Sequence, residues 1–345
     1  MAPFAATLAA TLAVGVGVAL ARAERERRAL REHRALDRRF APRKREPLAS
    51  GLQRMALGQL DVAIEALTGA GASADSPERR VHEARKALKR LRALVRLLRG
   101  ELGKRAYRRE NRLLRDVGRR LAQARDAAVA LETLERLIER HPRKLAKREG
   151  VLRLRAKLQS EREGAAELAL AEAGKSGGAL SQLQAMRLRV SAWQLPDSGG
   201  IDLVEPALGR LYVTGRKRMR RAARAKGKDG RGRTRKLHEW RKRVKDLRYA
   251  AEMLGVNKLA KGADELGEVL GEEHDLAVLG ERVRSEAKAS RASGAPDKSS
   301  RRQLLKLIAK RRKRLRRRAL GDGARLYGRS RKKFLRRTRK KTTLR

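Results

Sequence analysis

Two stretches of this chain repeat one pattern of side chains able to hold negative charge. His82 is followed by Arg85, Lys86, Lys89 and Arg92, and His238 by Arg241, Lys242, Lys245 and Arg248, at a constant offset of 156 residues. On a helix turning about 100° per residue, a histidine with cations at these spacings occupies an arc of about 120°. The opposite arc holds Val81, Ala84, Leu88, Leu91 and Val95 in the first copy, and Leu237, Trp240, Val244, Leu247 and Ala251 in the second. Each copy is therefore an amphipathic helix with an apolar core face and a cationic strip. Like charges one turn apart destabilise a helix. A strip of one sign, present twice, points to an extended polyanion as ligand.

The elements that position these strips follow from composition and breaks. The chain has 345 residues, 90 Lys and Arg against 39 Asp and Glu, and a formal net charge of +51. Such a charge opposes compaction unless an anionic partner offsets it. Hydrophobic residues make up 41% and lie at helical spacing, enough for a folded core. Aromatic residues are only 3%, which leaves few platforms for stacking unpaired bases. With no cysteine, disulfides and thiolate metal sites are excluded. The helical pattern breaks at Gly69 to Pro77, Gly100 to Gly103, His141-Pro142, Gly174 to Gly178, Pro196 to Gly200, Gly227 to Gly232 and Ser290 to Ser300. No β-branched alternation bounded by turns is present, so the expected fold is all-α.

The repeat reaches beyond the histidine helices. Arg125-Asp126 and His274-Asp275 sit in similar small, apolar and acidic surroundings, at an offset of 149. Each half then reads as an entry helix, a histidine helix, a second basic or polar helix, a helix opened by the Arg-Asp or His-Asp pair, and a long final helix. Two four-helix-type bundles related by an internal pseudo-twofold are the expected architecture.

The paired histidine helices, the two acidic motifs and the stretch Leu211-Tyr212-Val213-Thr214-Gly215-Arg216 resemble the conserved-histidine α-helical domain, CHAD, over about Pro47 to Arg337. The resemblance implies two helical bundles flanking a basic surface and binding of inorganic polyphosphate rather than catalysis. By motif it implies binding roles for His82, Arg85, Lys86, Lys89 and Arg92 and for His238, Arg241, Lys242, Lys245 and Arg248, with Arg216 added from the preceding stretch. One departure is Asp246, which stands where the first copy has Arg90. It lies off the strip, and little consequence for the ligand is expected.

Polyphosphate has charge and no bases, so recognition rests on cation spacing and donor geometry. Arg85, Lys89, Arg92 and Arg96 are about one turn apart, near 5 Å. Arg105, Arg108, Arg109, Arg112, Arg115 and Arg119 repeat the spacings of His82 to Arg96 and form a second rail. The second half offers only Lys258 and Lys261 at matching places, so that half is expected to bind more weakly. For His82 and His238, phosphate contact and local hydrogen bonding are the two readings, and His274 is expected to be structural. Asp126 and Asp275 read as helix N-caps or as carboxylates that orient strip cations. No metal site, cofactor or catalytic residue is expected, because no zinc-like histidine spacing and no nucleophile is visible. Non-specific nucleic-acid binding is the rival reading, since phosphate contact and counterion release act equally on DNA.

Domain expectations are a hydrophobic segment at 1–22, a charged stalk at 23–46, the helical domain at 47–337 with halves 47–178 and 200–337, and a basic tail at 338–345. Ala2 to Ala21 carries no charge and as a helix would be about 30 Å long, enough to cross a hydrocarbon core. A buried or loosely attached helix and a cleaved signal are the other readings of that segment. If it spans, the flanking arginines place the body in the cytoplasm, tethered to the inner face of the membrane. The sequence leaves oligomeric state open.

Overall fold

A computed structural model describes residues 40–43, 45–70, 76–196, 200–225, 230–288 and 297–342. The segment 2–21, the possible anchor, and nearly all of the stalk lie outside these residues. Pro42–Arg345 forms one compact unit. Among the described residues there is no strand, and no helix is long and apolar enough to cross a membrane.

The helices are α1 (Leu48–Thr68), α2 (Pro77–Leu97), α3 (Gly103–Arg120), α4 (Ala122–Arg140), α5 (Pro142–Leu145), α6 (Glu149–Arg162), α7 (Ala165–Gly174), α8 (Ala179–Ser191), α9 (Glu205–Ala223), α10 (Gly230–Met253), α11 (Asn257–Lys288), α12 (Lys298–Leu326) and α13 (Arg331–Arg339). Local chemistry sets their ends. Ser76 caps α2 by accepting from the Arg79 amide, with Pro77 at the first helical position and Glu78 in the first turn. Asp297 caps α12 by accepting from the Ser300 amide at 2.9 Å. Gly69 closes α1 in the left-handed conformation at φ 83°, where a side chain would be strained.

The apolar arcs form the core as expected. All ten residues named for the two histidine helices are buried, with Trp240, Val244, Leu247 and Ala251 completely so. α1 packs on α2 and α8, and α2 packs on α3; in the second half α9, α10, α11 and α12 pack in succession. The halves meet where α2 lies on α10, α4 on α11, and α12 on α5 and α6.

Two expectations about element boundaries fail. His274-Asp275 opens no helix, because α11 runs unbroken from Asn257 to Lys288. Nothing in that stretch interrupts backbone hydrogen bonding, whereas the first half breaks at Leu121 between α3 and α4. The long final helix appears only in the second half, as α12. The chain forms instead the shorter α6 and α7, divided by Gly164 at φ 74°, and then α8, which follows the Gly174 to Gly178 stretch and lies beyond the expected first half.

Candidate polyanion-binding surface

Of the first strip on α2, His82 and Lys89 are exposed, while Arg85, Lys86, Arg92 and Arg96 are half-buried. Arg85 donates to the Gly118 carbonyl of α3 at 2.9 Å, tying the strip to the neighbouring rail. On α3, Arg105, Arg108, Arg109 and Arg112 are exposed; Arg109 also reaches Glu110 at 2.7 Å. Glu110 is fully buried and receives two bonds from Arg189, which anchors α3 to α8 beneath the rail. Arg115 and Arg119 share Asp116.

Arg92 is where cations of α2, α3 and α10 come together. Burial pushes its guanidinium down to about 10, helped by the fields of Arg96, Arg115 on α3 and Arg243 on α10, with Asp246 opposing. Its Nε is buried with no hydrogen-bond partner among the described residues. Cations of three helices therefore crowd one point.

The second strip is more enclosed and more neutralised. Arg248 pairs with Glu252 at 2.6 Å and with Asp264, and Arg241 lies 3.9 Å from Asp275. Lys242 pairs with Glu239 on its own helix. Burial, then the Arg241 charge, pushes the Lys245 ammonium down to about 8. His238 and His274 pack against each other with ring centroids 4.3 Å apart and ring planes tilted by 33°, and both Nδ1 atoms are buried without a hydrogen-bond partner among the described residues. Burial pushes His274 down to about 3 and lowers His238, with Lys242 and Arg241 adding to the latter shift. Both rings are thus neutral at pH 7 in the free protein. His274, read as structural from sequence, lies directly against a candidate binding residue; the contact joins different helices and no local spacing announces it.

The acids are placed as follows. Asp275 lies mid-helix, so a capping role is excluded and orientation of Arg241 remains. Asp126 is exposed one turn into α4, whose N-cap is Leu121. Asp246 is not a bystander: it is 6% exposed, accepts a hydrogen bond from Arg96 at 2.7 Å and forms an ion pair with Arg243 at 3.0 Å. The helix-wheel argument set it off the strip of its own helix, and the partner comes from the other copy. Arg216 donates to the Arg329 carbonyl at 3.3 Å, beside Tyr212, whose hydroxyl exchanges bonds with the Arg329 backbone. No cluster of metal-ligating groups occurs among the described residues.

Residues 55–284 match the sequence profile of the CHAD domain. The chain belongs to the CHAD domain family. That family is associated with polyphosphate binding. The fold is also that of solved CHAD structures. The crystal structure of the CHAD domain from the plant Ricinus communis superimposes with a TM-score of 0.56 at 21% identity, covering 81% of this chain and 96% of that one. PptA from Streptomyces chartreusis superimposes with a TM-score of 0.58 at 17% identity, covering 82% and 100%. No curated protein matches the chain in sequence.

Proposed function

We propose that this CHAD protein binds inorganic polyphosphate without transforming it, in a shared groove with the α2 strip and the α3 rail on one wall and the α10 strip on the other. The observation that carries the proposal is the clustering beside Arg92 of Arg96, Arg115 and Arg243 from α2, α3 and α10, where Arg96 and Arg243 divide the single carboxylate Asp246 at 2.7 and 3.0 Å and Arg115 is paired with Asp116. Discrete phosphates would leave most of that charge uncompensated; a chain of phosphates can follow it from helix to helix. His82, Arg85, Lys86, Lys89, Arg92, Arg96, Arg108, Arg109 and Arg112 are the first-half contacts on this reading, and His238, Arg241, Lys242, Lys245 and Arg248 the second-half ones. Asp275 and Asp246 orient Arg241 and Arg96. The first half binds more strongly, because its rail has few acids while Asp264 and Glu252 already hold Arg248.

Association with polyphosphate would recruit the protein to such deposits or organise them, on the cytoplasmic side if residues 1–22 act as an anchor. The test is competition between long-chain polyphosphate and duplex DNA for the protein at physiological salt. Polyphosphate wins at equal phosphate concentration on this reading, because no base-reading element accompanies the cations. Preference for DNA would establish the nucleic-acid reading instead.

A further inference from the structure

The cations of α12 divide by face. Those turned inward are held: Arg311 donates twice to Glu272 of α11 at 2.6 and 2.7 Å, and Arg312 reaches Glu273 and Thr234 at 2.9 and 2.8 Å. Those turned outward are not. Lys306, Lys310, Lys313, Arg314 and Arg317 are exposed, and among the described residues no carboxylate lies within ion-pair distance of them. Their spacing is not scattered. Lys306, Lys310, Lys313 and Arg317 fall within about 60° of arc, a straight line of cations about 17 Å long on a rigid helix.

α5 extends this line sideways. It packs against α12, and its Arg143 and Lys144 are exposed. His141, just ahead of α5, sits in the combined field of Lys144, Arg140, Lys310 and Arg314, so the cations of the two segments share one patch. This patch is separate from the groove. α11 presents Gly271, His274 and Asp275 to the α10 strip, and Glu272 and Glu273 to the inner cations of α12. The outer line of α12 therefore points away from α11 and from the α10 residue Thr234 that Arg312 reaches. Unpaired like charges a turn apart cost helix stability, and here they recur without the compensating acids found on the inner face.

We propose that the outer face of α12, with Arg143 and Lys144, is a second polyphosphate-binding surface, so that one molecule holds two chains and cross-bridges them. The inference rests on the polyphosphate reading of the groove. It assigns polyphosphate rather than nucleic acid because the exposed residues of α12 include no aromatic ring to stack a base and repeat the one-sign, turn-spaced pattern of α2 and α3. Two separate faces convert a binder into a scaffold: each added contact along a long chain is made at high effective concentration.

The test uses the full-length protein and a short polyphosphate of defined length, with stoichiometry read by native mass spectrometry, and long chains read by light scattering. Wild type should bind two short chains and condense long ones. Lys310→Gln with Lys313→Gln and Arg317→Gln should bind one short chain, with the tight site changed by no more than about threefold because the faces are distant, and should fail to condense long chains. Lys332→Gln with Lys333→Gln and Arg336→Gln on α13 removes the same formal charge and should keep both chains. A wild-type stoichiometry of one would overturn the second surface alone. Absence of any polyphosphate binding would overturn the groove reading and this one with it. If the α12 variant loses duplex DNA binding while polyphosphate stoichiometry stays at one in both proteins, the face is a nucleic-acid surface and the proposal is wrong.

Discussion

Arg96 of the first histidine helix donates to Asp246 of the second at 2.7 Å, 150 residues away along the chain. Arg90 lies 4.0 Å from Glu252 in the same contact. The repeat makes these pairs reciprocal, since Arg90 and Asp246 are equivalent positions and so are Arg96 and Glu252. Such an exchange of partners is what a twofold relation between α2 and α10 would produce. Had the second copy kept the arginines of the first, four cations would meet where Arg92 is already crowded.

Asp246→Arg restores the first-copy residue and should therefore destabilise the fold. Removing one member of a buried pair costs about 3 to 5 kcal/mol, and the lower end applies because Arg96 keeps some access to water. Adding Arg96→Asp should recover part of the loss. Denaturant unfolding of both single variants and the double closes the cycle; equal stability of all four proteins would show the pair to be incidental.

Proton linkage follows from the enclosed second strip. Lys245 is held near 8, so a phosphate chain beside it favours the ammonium, and binding near pH 8 should take up protons. Affinity should rise as pH falls through that value. Calorimetry in buffers of different ionisation enthalpy reads the uptake, which should shrink in Lys245→Met; heats that do not depend on the buffer would contradict the assignment. The histidine pair acts on stability in the free protein. His274 is held near 3 and His238 below its usual 6.5, so between those values and 6.5 the unfolded chain binds more protons. Stability should accordingly decline as pH drops below about 6.5, and less steeply in His274→Leu.

Gly215 is the glycine of the Leu211 to Arg216 stretch, and the Tyr327 ring lies directly on it. A Cβ there would come within 2.7 Å of Tyr327 Cζ. Tyr327 is buried and packs at 5.4 Å from Tyr212, which itself stacks on Phe334 at 3.9 Å. Gly215→Ala should cost about 1 to 3 kcal/mol by overpacking and lower the melting temperature, with little effect on polyphosphate affinity. A variant as stable as wild type would mean that the Tyr327 contact yields freely.

The division of α2 and α10 into apolar and cationic faces could be read from spacing because both are helices. The 3.6-residue period separates core from strip without knowledge of neighbours, and every residue assigned to the apolar arcs of α2 and α10 is buried. What stayed hidden depends on which helices meet. Asp246 looks harmless on its own helix and becomes Arg96's partner only when α10 lies on α2. The His238–His274 contact likewise needs α10 and α11 side by side. Breaks made by a single residue were also missed: Gly255, at φ 66°, separates α10 from α11, yet an isolated glycine in a helical pattern is ordinarily tolerated.

The proposed binding mode lays polyphosphate along the α2 and α10 strips. It is tested most directly by titrating long-chain polyphosphate into wild type, Arg85→Glu with Lys89→Glu, and Arg241→Glu with Lys245→Glu at physiological salt, with helicity checked by circular dichroism. Both variants should keep their helicity and lose affinity severely. The α2 pair should lose more, because its strip adjoins the α3 rail while the α10 strip is partly neutralised by its own acids. Wild-type affinity in both variants would contradict the account.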